Sequence, residues 1–379
     1  MRILAFDVPA SKGGALSILK DFVAYIDKRA SVHEWYFVVS TEELNIHNPN
    51  IRLIREGFPK KSWFHRAFWE VFIANKIVKT LKPDVILSLQ NTAIMFTTIP
   101  QIIYVHQSIP FCKDKRWIYF SLEELKYVFY RDIFRFLIGR SVRKADKVIV
   151  QTSWMKEALV DSYGIPDSKI EVIPPSITNI PLSEKGLSYE GGATNKFFYP
   201  AGPSLYKNFE VIIEAVKKLL EQKYAPKVYL TIKGDENRYT ARIKKMLKGL
   251  EDNFKLLGSI PREQVFKFYQ TGILLFPSYL ETFGLPLLEA RLFNTPIIVS
   301  DRPFAREILE GYPNVDFFDP FSPDDLADKM KKYLESDFFS YTPLDVDREM
   351  EIINKYSPEN TWGKIVKLLE SLSEEGAFK

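Results

Sequence analysis

Two α/β domains, each built on a doubly wound parallel sheet, are predicted from three features of the 379-residue chain. Apolar runs of strand length alternate with stretches of helical periodicity, the pattern of parallel strands joined by crossover helices. The segment 273–301, ILLFPSYLETFGLPLLEARLFNTPIIVSD, contains one complete unit of that kind. The length exceeds what one hydrophobic core usually organises, and the 46% hydrophobic content leaves material for two.

Within that segment, residues 273–276 form an apolar run closed by Pro277 and Ser278. Gly284 and Pro286 open a helix, since proline is tolerated in a first turn, and Leu285, Leu287, Leu288 and Leu292 supply its apolar positions. Pro296 precedes a second strand at 297–299. In such sheets ligands bind outside the carboxyl ends of the strands, where a helix N-terminus offers unpaired N–H groups to phosphate. Glu281 lies on the loop at that end, and Glu289 is eight residues further on, about two helical turns away, so both can project toward one cleft. Carboxylates there suit sugar or ribose hydroxyls. The same two residues also fit a helix cap and a solvated helix position.

Glu281 and Glu289, with Phe283-Gly284-Leu285-Pro286 between them and Ala290 after, resemble the E-x7-E signature of the retaining glycosyltransferases of family 4. The resemblance continues through residues 296–301 and Glu307. It implies the GT-B fold: two Rossmann-like domains facing a central cleft. It assigns Glu281 to donor sugar hydroxyls and Glu289 to ribose hydroxyls, with Phe283, Gly284 and Leu285 beside the donor. It also implies transfer from a UDP- or GDP-sugar to an acceptor hydroxyl by same-face attack, needing no metal or other cofactor, with the two domains closing on the substrates.

From the N-terminus, residues 2–8 read as a first strand, and Gly13 and Gly14, after Lys12, lead into a helix with apolar positions Leu16, Leu19, Phe22, Val23 and Ile26. The glycines let backbone approach a ligand at a helix N-terminus, or form an ordinary loop; the family places them beside donor phosphate and acceptor. Further strands are expected at 35–39, 51–54, 85–89, 102–105, 148–150 and 170–173. His106 ends one of them. A histidine there is either a satisfied structural residue or, by the resemblance, the group that faces the donor sugar.

Residues 111–147 are rich in aromatic and basic side chains, among them Arg116, and Lys60, Lys61, Trp63, Phe64, His65 and Arg66 repeat that character. Two readings stand: a core-facing stripe with a solvated basic face, or a surface that meets anionic lipid. The charge is uneven. Residues 1–178 hold 25 Lys and Arg against 18 Asp and Glu, whereas the whole chain is only +4. No nucleic-acid-binding motif or basic arm accompanies this, so a membrane surface or phosphate-bearing acceptor is the expected partner.

Residues 177–195, rich in Gly, Ser, Pro and Asn, read as the linker, which gives a first domain at 1–178 and a second at 179–355. The C-terminal helix, within 356–379, resembles the family's crossover onto the first domain. The second domain opens with a strand at 197–199, then Gly202, Pro203, Ser204 and Lys207 before a helix from Phe209 to about Gln222. Lys207 suits a diphosphate, and the family places a lysine there. The family's arginine after the glycine is missing, with Pro203 and Ser204 in its place, so phosphate contact falls to Lys207, Ser204, Gly202 and backbone N–H groups. Strands at 228–232, 254–258 and 317–318 and helices at 241–250, 262–270, 324–334 and 358–372 complete the pattern, with Gly234 at a turn near the nucleotide.

The catalytic candidates are thus His106, Lys207 and Glu281. Asp345 and Asp347 form an Asp-x-Asp, a metal motif in another transferase architecture, but a polar run before a helix favours acids in its first turn anyway. Cys112 stands alone and fits a reducing compartment. The opening apolar run is broken by Asp7, so no signal peptide is expected. No run reaches the ~18 apolar residues of a spanning helix. These features predict a cytoplasmic protein, peripheral to the membrane at most, that acts on cell-surface polysaccharide or lipid-linked saccharide. A nucleotide-sugar-binding protein without turnover and a nucleotide-sugar epimerase of the same fold are the alternatives.

Overall fold

The computed structural model describes residues 1–11, 13–29, 32–115, 117–177, 189, 195–335, 342 and 345–377. Lys12, Arg116 and most of the expected linker at 177–195 lie outside them. The chain divides into two compact units, one of Met1–Lys113, Phe129–Asn179 and Met350–Lys379, the other of Asp114–Val128 and Ile180–Glu349.

The first unit is a seven-stranded parallel sheet in the order β3-β2-β1-β4-β5-β6-β7. Its strands are β1 (Arg2–Asp7), β2 (Glu34–Val39), β3 (Ile51–Arg55), β4 (Val85–Ser88), β5 (Gln101–Val105), β6 (Lys147–Val150) and β7 (Ile170–Val172). Period-two alternation divides β1 between two cores. Ile3 and Ala5 pack with Leu19, Phe22, Val23 and Ile26 of α1 (Gly13–Asp27), and with Trp362, Ile365 and Leu369 of the C-terminal helix (Pro358–Ala377). Leu4 and Phe6 point the other way, onto Trp69, Ala74 and Val78.

Those last three belong to a long helical stretch made of α2 (Trp63–Phe68), a π-turn (Trp69–Ile73) and α3 (Ala74–Leu81). A second π-turn (Tyr130–Phe134) lies between α4 (Leu125–Phe129), where the chain returns from the second unit, and α5 (Arg135–Lys144). α6 (Ser153–Tyr163) follows β6.

The second unit is a six-stranded parallel sheet in the order β10-β9-β8-β11-β12-β13. It contains β8 (Lys196–Tyr199), β9 (Lys227–Leu230), β10 (Phe254–Leu256), β11 (Ile273–Phe276), β12 (Ile297–Ser300) and β13 (Val315–Phe318). Its helices are α7 (Phe209–Glu221), α8 (Arg238–Met246), α9 (Arg262–Thr271), α10 (Leu285–Leu292), α11 (Pro303–Ile308) and α12 (Pro323–Leu334). Helix α8 begins earlier than the apolar spacing suggests, because Asn237 and Thr240 close a reciprocal capping box. Residues 114–128 pack on this unit: Arg302 pairs with Asp114 at 3.1 Å, Arg242 with Glu123 at 3.3 Å, and the Leu205 N–H donates to the Tyr127 hydroxyl at 3.0 Å.

α13 (Val346–Lys355) and the C-terminal helix, α14 (Pro358–Ala377), complete the chain. Glu349 on α13 meets Arg291 on α10 in an ion pair of 2.8 Å whose side chains are 3% and 1% exposed. Arg291 also donates to the carbonyls of Ile308 and Glu310, so each guanidinium nitrogen has a partner.

Candidate active site

The strand order of each sheet reverses once, and in open parallel sheets ligands bind outside the carboxyl ends of the two strands that flank such a reversal. In the second unit those strands are β8 and β11. The loop after β8 carries Gly202, Ser204 and Lys207, and the loop after β11 carries Glu281. Topology therefore brings Lys207 and Glu281 together across 74 residues, with Nζ 2.5 Å from Oε1 and the side chains 15% and 14% exposed. Burial alone would lower the Lys207 ammonium, but the Glu281 carboxylate outweighs it and Lys207 titrates above its ordinary value.

A hydrogen-bond lattice fixes both loops. The Tyr199 hydroxyl donates to the Lys207 carbonyl at 3.0 Å and is 2.7 Å from the Ser278 hydroxyl. The Ser300 hydroxyl donates to the Ser278 carbonyl, and the Tyr279 N–H to the Tyr206 carbonyl at 3.1 Å. Asn208 is left-handed (φ 57°), and its amide donates to the Pro277 and Pro320 carbonyls. Asn237 holds the Pro203 carbonyl at 2.7 Å and thereby the loop beside Gly202. Gly234 (φ 86°) forms the turn after β9.

Glu281 leads into the N-terminus of α10. Gly284 caps that helix at φ 97°, a conformation that disfavours a side chain, Pro286 sits in its first turn, and Phe283 is buried. Leu285 is the first helical residue and half-buried. Glu289, further along the same helix, does not join the Lys207 pair. Arg262 of α9 donates to it at 2.9 Å and the Tyr269 hydroxyl at 3.2 Å. Burial raises the Glu289 carboxyl above its usual range, with Arg262 opposing the shift.

In the first unit the reversal lies between β1 and β4. Gly13 and Gly14 start α1 after β1, Gly13 at φ 66°, and a Cβ on either would meet no atom within 4 Å. His106 follows β5, the neighbour of β4. Asn91, left-handed at φ 68°, reaches it: the Asn91 Oδ1 accepts the His106 backbone N–H at 2.7 Å, which turns Nδ2 toward the His106 Nε2 at 3.3 Å. An amide NH2 only donates, so Nε2 is the acceptor and the ring proton sits on Nδ1. Burial pushes His106 down to about 4, which keeps it neutral at physiological pH. Asn91, Arg262 and Tyr269 are the residues that sequence reasoning missed. A signal for the last two was present, since positions seven apart on one helix share a face.

Asp345 and Asp347 are exposed at the start of α13, where Asp345 accepts the Arg348 N–H at 3.2 Å as a cap. No group of three or more metal-ligating side chains occurs among the described residues.

The profile "Glycosyltransferase Family 4" matches residues 13–178, and "Glycosyl transferases group 1" matches residues 191–350. The chain is similar to the O-antigen chain mannosyltransferase RfbU of Salmonella typhimurium, 26% identical over 257 residues. That match takes in 65% of this chain and 64% of the relative, short of two thirds of its length. Among solved structures, sucrose-phosphate synthase of Thermosynechococcus elongatus superposes with a TM-score of 0.72 at 18% identity, over 98% of both chains. Anabaena HepE in complex with UDP and glucose gives 0.69 at 17% identity, over 98% of this chain and 100% of that one. With two parallel-sheet units and both halves matched, the chain has the GT-B fold and belongs to glycosyltransferase family 4.

Proposed function

We propose that the protein moves a glycosyl group from a UDP- or GDP-sugar to an acceptor hydroxyl on a saccharide or lipid-linked saccharide, with retention and without a metal, in cell-surface polysaccharide synthesis. The Lys207–Glu281 pair at the strand-order reversal carries this reading, because it sets one cation and one carboxylate beside a helix N-terminus. A donor diphosphate takes Lys207 and the backbone N–H groups of Gly284 and Leu285 where α10 begins, positive charge placed where negative charge develops as the diphosphate departs. Glu281, released from Lys207, accepts the sugar hydroxyls. Arg262 and Tyr269 hold Glu289 ready for the ribose.

The tautomer of His106 supports the proposed proton path. With Nε2 occupied by Asn91 and the proton on Nδ1, His106 can donate to a sugar hydroxyl but has no free lone pair to act as a base. The acceptor's proton then passes to the leaving phosphate. The relative named as a mannosyltransferase and the neighbour that binds UDP and glucose favour a nucleotide-sugar donor. A single cysteine suits the reducing cytoplasm. The test is proton NMR of the product formed with a panel of UDP- and GDP-sugars in excess chelator. An anomeric signal of unchanged configuration supports the reading, whereas donor binding without transfer to any saccharide would favour a binding protein.

A further inference from the structure

The aromatic and basic residues of the first unit do not all enter its core. On α2 and the π-turn after it, Phe64 is 88% exposed, Phe72 60%, and Trp63 and Phe68 50% each. Phe64, Phe68 and Phe72 recur at helical spacing, with the last two rings 4.8 Å apart, while Trp69 on the opposite side is fully buried against Phe6. The Trp63 and Phe129 rings lie 4.2 Å apart, tilted by 40°, which joins this stripe to the end of α4 and so to the second π-turn and α5 that follow it. There Ile133 and Phe136 are 53% and 62% exposed, and the Arg140 guanidinium lies 5.9 Å over the Phe136 ring.

The surrounding charge has one sign. Residues 58–81 and 129–144 contain ten Lys and Arg against two acids, although the whole chain is only +4. Both acids are already engaged, Glu70 by Arg66 and Asp132 by Arg131. Lys61, Lys76, Arg135, Arg140 and Lys144 form no ion pair among the described residues. An exposed aromatic surface of this kind marks an interaction site. The cations around it select an anionic partner, and aromatic side chains among unpaired lysines and arginines match the boundary between lipid phosphates and acyl chains. No helix among the described residues is long and apolar enough to cross a membrane.

We infer that this face of the first unit docks on an anionic lipid bilayer, with Phe64, Phe68, Phe72 and Phe136 entering the headgroup boundary while Lys61, Arg135, Arg140 and Lys144 pair with lipid phosphates. The inference goes beyond the donor chemistry and does not depend on it. The test is sedimentation of the full chain with vesicles of phosphatidylcholine, with and without about a third phosphatidylglycerol, at low and high salt. Two variants accompany it: Phe64→Ser/Phe72→Ser/Phe136→Ser, and Lys61→Gln/Arg135→Gln/Arg140→Gln.

The wild type is expected to bind only the anionic vesicles, to lose most binding at high salt, and to show a blue shift of Trp63 fluorescence. Each variant is expected to bind about tenfold more weakly or less. The far-UV circular dichroism and ligand-free melting temperature of the wild type should be unchanged in both variants, which shows that they fold. Because the vesicle assay contains no nucleotide, failure of the donor reading leaves it intact. Absence of binding to anionic vesicles, or aromatic and basic variants that bind as the wild type does, would overturn the inference.

Discussion

Lys207 and Glu281 form a nearly buried ion pair at the point where the strand order of the second unit reverses, 2.5 Å apart. Each keeps the other's charge paired until a ligand takes one of them. Lys207→Ala is therefore expected to weaken binding of both free nucleotide and nucleotide-sugar, whereas Glu281→Ala weakens only the sugar conjugate. Turnover should fall by about 100-fold or more in either variant. Isothermal titration of the two ligands, with initial rates, separates these outcomes.

The pair also contributes to stability in a defined pH window. The folded value of Lys207 is raised, so the stabilisation is complete below the unfolded lysine pKa and is lost as pH rises through the folded value. Urea denaturation at neutral pH and in strong alkali should show a loss in the wild type that is smaller in Lys207→Met.

His106 gives the opposite dependence. Its folded value of about 4 lies below the ordinary 6.5, so stability is full above 6.5 and declines as pH falls toward 4, where the unfolded chain binds a proton that the folded chain refuses. The decline should be on the order of 2–3 kcal/mol and absent in His106→Gln. Nitrogen NMR of the native imidazole should place the proton on Nδ1; a proton on Nε2 would contradict the Asn91 geometry.

Asp7 ends β1 in a buried site, and burial raises its carboxyl to about 8 despite Arg66 and Lys60. A raised acid favours the folded state at low pH, and that advantage is lost as pH climbs from 3.8 to about 8. Asp7→Asn should therefore gain stability over the wild type as pH rises, by more than about 1 kcal/mol between pH 5 and pH 8. Thermal melts at the two pH values measure it.

Arg291 and Glu349 tie the signature helix to α13 with almost no solvent contact. Glu349→Ala strands a buried cation and should cost about 3–5 kcal/mol, while the double change Arg291→Met/Glu349→Leu should recover most of that loss. Urea midpoints of the three proteins settle whether the pair or the packing matters.

Much of the fold is legible in the sequence. Strands such as Ile273–Phe276 announce themselves because all four side chains are buried on both sides of a parallel sheet, which leaves an unbroken apolar run. Glycine and proline mark the loops that carry Glu281 and Lys207, the family resemblance singles the two residues out, and the structure adds that their side chains meet. Less local features were hidden. The start of α8 depends on a cap inside a polar stretch, and Arg291 and Glu349 lie 58 residues apart with nothing in either segment to announce the other. The packing of 114–128 on the second unit has no local signature either. In the aromatic helices, sequence alone left two readings open. The structure puts Trp69, Ile138 and Val142 in the core and leaves Phe64, Phe72 and Phe136 in solvent.

The proposed function requires the Lys207–Glu281 site to receive a nucleoside-diphosphate sugar without a metal. The most direct measurement is isothermal titration of the wild type and Glu281→Ala with UDP, GDP and their sugar conjugates in excess chelator. Saturable binding of one nucleotide is expected, with tighter binding of its sugar conjugate by the wild type and loss of that increment in Glu281→Ala. No heat with any ligand at millimolar concentration, or a sugar increment that survives in the variant, would contradict it.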